Sequence, residues 1–116
     1  MSKDYRLIAD EVDSGAVLLK SAMPDAMKGF AGLGAAAYGD GALLPRIKEL
    51  MALAIGITVR CDGCVAYHAR AAHKKGASRQ EIAETIAVAV QMGGGPSMVY
   101  GGEALRAYDV FASDGA

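Results

Sequence analysis

At 116 residues, with a net charge of −1, 53% hydrophobic residues and 6% aromatics, the chain is the size of one domain and lacks the basic excess that draws proteins to nucleic acid or anionic membranes. Much of the apolar content is alanine, and cores of small side chains bury little area per residue, so self-association is expected to complete the burial. The charged opening Met1-Ser2-Lys3-Asp4-Tyr5-Arg6 is no secretory signal, and the uncharged run 50–59 is about half of what a membrane span needs, so a soluble cytoplasmic protein is expected.

Leu7, Ile8, Val12, Ala16 and Leu19, with charges between them, predict an amphipathic helix over residues 5–22, ended by Pro24. A second helix from Asp25 to about residue 38 carries Met27, Phe30, Leu33 and Ala37; Gly29, Gly32 and Gly34 weaken it and point to a close helix crossing. Gly39-Asp40-Gly41 breaks the chain, and Pro45 suits the first turn of a third helix. Residues 50–59 are apolar on every side, which predicts burial on every side.

Residues 60–63 form the next junction, with Asp62 the candidate N-cap of a fourth helix. That helix ends at Lys74-Lys75-Gly76, with cations in the last turn and glycine just past it. Ser78 and Glu81 make an S-x-x-E capping box for a fifth helix reaching about residue 92, again apolar all round at 86–90. Gly93-Gly94-Gly95 lacks the motif of a phosphate cradle and reads as a plain loop before a sixth helix bearing Met98, Val99, Leu105, Tyr108 and Phe111. The tail 113–116 is expected to be loose. The whole reads as an all-α helical bundle of about six helices, one domain over residues 1–116.

The chemistry concentrates between Glu49 and His68. Cys61 and Cys64, the only cysteines, form a C-x-x-C, and on a helix from about residue 61 they share one face with His68 within roughly 60°. In a reducing compartment such a pair points to catalysis or metal binding rather than a structural bridge. A C-x-x-C at a helix N-terminus favours the thiolate, lowering a cysteine pKa from ~8.5 into roughly the 3.5–7.5 range. His68, one turn after Cys64, can take a thiol proton directly or through one water. Glu49 is the nearest plausible orienting partner; it shares a helix face with Leu53 and Ile57, although a glutamate in a first turn often serves only the helix dipole. Zinc is the rival use of these cysteines, with His68 and His73 as further ligands, but His73 lies roughly 120° from Cys61 around a straight helix. His73 is instead expected to face solvent beside Lys74 and Lys75, and Tyr67 to serve in packing.

Glu49, Cys61-Asp62-Gly63-Cys64, His68 and Gly76-Ala77-Ser78-x-x-Glu81-Ile82 together resemble the alkylhydroperoxidase D-like, or carboxymuconolactone decarboxylase, family over roughly residues 43–108. The resemblance implies an all-α fold, assembly into homotrimers or homohexamers, and reduction of hydroperoxides or disulfides through the cysteine pair. Electrons would come from a dithiol reductant, such as a lipoyl-type one, with no bound cofactor. In that scheme Glu49 orients His68, His68 deprotonates Cys64, and Cys61 resolves the oxidised sulfur, although Cys61 is open to the opposite role as the sulfur that meets the reductant. Members with peroxidase chemistry often carry a second histidine immediately before the second cysteine, where this chain has Gly63. Two other functions stay open: decarboxylation of a lactone in aromatic catabolism, and a non-enzymatic helical assembly module whose dithiol senses oxidation.

Overall fold

Each helix begins at a local device that either supplies a partner for a first-turn N–H group or, through proline, removes one of those groups. In the computed structural model, which describes residues 3–115, α1 runs Tyr5–Ala22, α2 Pro24–Tyr38, α3 Pro45–Thr58, α4 Asp62–Lys74, α5 Arg79–Gly93 and α6 Gly95–Ser113. Asp4 caps α1 by accepting the Leu7 N–H at 3.1 Å. Proline, which has no N–H to lose, opens α2 and α3 and stands in the first turn of α6. Both halves of the Ser78–Glu81 capping box form, at 3.1 and 2.9 Å. No strand occurs among the described residues. None of their helices is long and apolar enough to cross a membrane.

The core is made where α3, α4, α5 and α6 meet. Leu53, Ile57, Val65 and Ile82 are its largest fully buried side chains; alanines fill the rest of the α4 face, and Ala104 and Ala107 join Tyr108 and Phe111 on that of α6. Small residues let the backbones approach: a Cβ at Gly101 of α6 would lie 2.5 Å from Cγ2 of Ile86 on α5. α1 lies across α4 and α6 and contributes Tyr5 and Ala9 to the core. α2 is peripheral and has no buried residue.

Several expectations change. The runs 50–59 and 86–90 are not buried all round: Met51, Ile55, Val59 and Val88 are exposed while Leu53, Ile57 and Ala89 are buried. Apolar composition removed the periodic signal, and helix packing then decided which face went inside. Gly29, Gly32 and Gly34 mark no crossing, since a Cβ at each would meet open space. The triple glycine is not a loop; Gly93 ends α5, Gly95 begins α6, and Gly94 alone, at φ +73°, makes the corner. The tail is not loose through its described part: Ser113 is helical and Asp114 accepts two hydrogen bonds from Arg6, at 2.8 and 2.9 Å. Ala116 lies outside the described residues.

Candidate active site

The cysteines are placed by the way α3 stops. The Arg60 N–H donates to the Ile57 carbonyl at 3.2 Å and the Cys61 N–H to the Gly56 carbonyl at 3.1 Å, the paired bonds of a Schellman turn. Arg60 holds its left-handed position, φ +56°, the only non-glycine residue with positive φ among those described. Cys61 closes this turn and at once opens α4. It, rather than Asp62, is the N-cap, and its Sγ accepts the Cys64 N–H at 3.2 Å. Asp62 is already the first helical residue, because the sulfur performs the capping that an aspartate oxygen was expected to perform.

Cys61 and Cys64 are joined as a disulfide, with their Cα atoms 5.2 Å apart. Gly56 makes room for it. A Cβ there would sit 3.0 Å from the Cβ of Cys64, so glycine lets the start of α4 settle on α3 without the shift that a side chain would force.

Glu49 and His68 meet across α3 and α4. Oε1 of Glu49 lies 2.7 Å from Nδ1 of His68, with both side chains more than four-fifths buried. Glu49 is the fifth residue of α3, past the first turn in which a glutamate serves only the dipole, and it points inward with Leu53 and Ile57. Nδ1 is thereby occupied by the carboxylate, which leaves Nε2 for other proton exchange. His68 stands one turn beyond Cys64 on the same helix.

Two tyrosines frame the imidazole. Tyr38, the last residue of α2, stacks on it with centroids 5.8 Å apart and planes 21° apart. Tyr67 meets it edge-on at 5.1 Å and 75°, so the packing expected of this ring is against the imidazole itself. Arg70 lies over the Tyr67 ring at 5.4 Å and pairs with Asp13 of α1 at 3.1 Å.

The spacer between the sulfurs is held from outside. Lys3 Nζ reaches Asp62 at 3.1 Å and Glu103 of α6 at 2.8 Å, and it lies over the Tyr100 ring at 4.9 Å. The Tyr5 hydroxyl also donates to Glu103. Burial pushes the Glu103 carboxyl up, but the hydrogen bonds from Lys3 and Tyr5 outweigh it and hold the group below the usual carboxylate range. At the other spacer residue, a Cβ on Gly63 would lie 3.0 Å from Cγ2 of Val12. α1 therefore occupies the space into which a side chain at position 63 would grow.

His73 is not solvent-facing; it is half-buried and edge-on to Tyr108 at 5.6 Å. Among the described residues no group of three or more His, Cys, Asp or Glu converges as a metal site.

The structure thus brings Glu49 onto His68 and Cys61 onto Cys64, with both pairs at the α3–α4 junction. Sequence reasoning missed Tyr38, Lys3 and Arg60. Only Lys3 had any local signal, as a cation near the start of a charged first helix.

The sequence profile of the carboxymuconolactone decarboxylase family matches residues 24–107. An uncharacterised protein of Cupriavidus necator is 37% identical over 109 residues, which span 94% of this chain and 96% of that protein. Uncharacterised protein 4 in the cox locus of Paracoccus denitrificans is 34% identical over 80 residues, 69% of this chain and 72% of that one. The apo crystal structure of a carboxymuconolactone decarboxylase family protein from Legionella pneumophila superposes with a TM-score of 0.90 at 39% identity, covering 92% of this chain and 96% of that one. With a profile match across most of its length and a whole-chain structural counterpart of substantial identity, the chain belongs to the carboxymuconolactone decarboxylase family.

Proposed function

We propose that the chain is a thiol-dependent peroxidase and thiol-disulfide oxidoreductase. The observation that carries this reading is the Glu49–His68 hydrogen bond standing one turn from a bonded Cys61–Cys64 pair at the N-terminus of α4. In the reduced protein Glu49 holds Nδ1 of His68, and Nε2 accepts the Cys64 proton, directly or through one water. The Cys64 thiolate attacks the terminal oxygen of a hydroperoxide. The O–O bond breaks, Cys64 becomes a sulfenic acid, and the alkoxide leaves as alcohol with the proton from His68. The Cys61 thiolate, favoured by the Cys64 N–H and the positive end of α4, then attacks the Cys64 sulfur, expelling hydroxide that leaves as water. A dithiol reductant of lipoyl type reopens the disulfide by exchange. The net reaction converts one hydroperoxide and one dithiol into one alcohol, one water and one disulfide.

A homotrimer or homohexamer in the cytoplasm is part of this reading. It is supported by the apolar groove between α3 and α5, where Ile55, Val59, Val88 and Met92 are all exposed. A second reading, a dithiol that senses oxidation without turnover, is favoured by Val12 standing where a second relay base would project from position 63.

Steady-state turnover of an organic hydroperoxide with dihydrolipoamide decides between them. Cys61→Ser and Cys64→Ser are expected to abolish it, and Glu49→Gln to slow it about 100-fold. Unchanged rates in both cysteine variants would remove the peroxidase reading.

A further inference from the structure

α2 is attached to the molecule differently from the other helices. None of its residues is buried, and Phe30 and Leu33 stand in solvent. Yet its last residue reaches the relay: Tyr38 is half-buried and stacks, offset and near-parallel, on His68, with centroids 5.8 Å and planes 21° apart. The next residue fixes this placement, because the Gly39 carbonyl accepts a hydrogen bond from Lys48 Nζ of α3 at 2.6 Å. α3 also carries Glu49, so the tyrosine and the carboxylate approach the imidazole from one anchored segment.

An imidazole held by a single hydrogen bond can still rock about that bond and about its own side-chain torsions. Its broad, two-fold terminal torsion offers little resistance. Ring contacts added to that bond remove the freedom, the edge-on Tyr67 on one side and the near-parallel Tyr38 on another. Glu49 fixes Nδ1 in the plane of the ring, and a stacked ring fixes the plane itself. We infer that Tyr38 is a positioning residue of the relay: its ring holds the His68 plane so that Nδ1 stays on Glu49 while Nε2 is presented for proton exchange with the dithiol. The inference rests on the peroxidase reading only for the identity of that exchange. Burial, with the nearby Glu49 charge, holds the Tyr38 hydroxyl above the ordinary tyrosine value, so the ring works as a neutral flat surface. The hydroxyl is not required; the aromatic face is.

That distinction sets the experiment. Tyr38→Phe keeps the face, and Tyr38→Leu keeps apolar bulk without it. In 15N-histidine-labelled full-length protein, the long-range proton–nitrogen spectrum of His68 is expected to show one fixed tautomer in wild type and Tyr38→Phe. Tyr38→Leu is expected to give averaged Nδ1 and Nε2 signals. In turnover with an organic hydroperoxide and dihydrolipoamide, Tyr38→Leu is expected to lower kcat about tenfold or more with KM unchanged, and Tyr38→Phe to stay within about twofold of wild type. A role confined to packing would lower the unfolding midpoint of Tyr38→Leu and leave the nitrogen pattern and kcat as they are in wild type, which overturns the inference. A wild-type protein without turnover would sink the peroxidase reading, and the nitrogen pattern alone would then decide for or against Tyr38.

Discussion

α3 and α4 end in the same kind of turn, built from opposite materials. At the end of α4 the Gly76 N–H donates to the His73 carbonyl and the Ala77 N–H to the Ala72 carbonyl, both within 3.0 Å, with Gly76 at φ +90°. At the end of α3 the same two bonds form around Arg60 at φ +56°. A glycine occupies the left-handed region without penalty, whereas an arginine pays roughly 1–2 kcal/mol in contact between its Cβ and the following carbonyl. The costly version stands directly before Cys61. Backbone strain of this kind persists only where the surroundings over-determine it, and here both helices and the disulfide do so.

Three substitutions break or sharpen this comparison. Gly56→Ala has the largest expected effect. Gly56 supplies the carbonyl that closes the α3 turn, and the new Cβ would press on Cys64, so a loss of about 1–3 kcal/mol in urea unfolding is expected, together with slower re-formation of the disulfide after reduction. Gly76→Ala comes next: its φ of +90° strains any side chain although the space around it is open. A loss of about 1–2 kcal/mol is expected, with disulfide formation unaffected. Arg60→Gly is smallest and opposite in sign. Relief of the left-handed strain, less the extra entropy glycine loses on folding, should raise stability by up to about 1 kcal/mol. A drop in the urea midpoint for Arg60→Gly would show that the arginine is not strained there.

The same contrast explains what the sequence made legible. The end of α4 was readable because Lys74-Lys75-Gly76 follows the common rule of cations and then glycine, and the start of α5 because Ser78 and Glu81 lie three residues apart. The α3–α4 junction carried no such mark. With arginine in the glycine's place, the nearest recognisable cap was Asp62, one residue too late, and a cysteine is not ordinarily read as a capping residue. Glu49 and His68 could be brought together because each shows a defined helix face, and family spacing supplied the rest. Tyr38 could not, since it lies 30 residues before His68 on a helix whose own pattern says nothing about where its end docks. The mixed exposure of α3 and α5 escaped for a different reason. An all-apolar stretch has no preferred side until its neighbours choose one, which is why Ile55 lies outside and Leu53, two residues earlier, lies within.

The ion pair of Arg6 with Asp114, spanning 108 residues, and the bond of Tyr5 to Glu103, spanning 98, set the two extremities of the fold side by side. A cut in the exposed segment at residues 40–43, between α2 and α3, would leave those two extremities tied to each other and Gly39 still bonded to Lys48. Opened in that way, the molecule would keep the two sulfurs and the imidazole on one uninterrupted piece of chain.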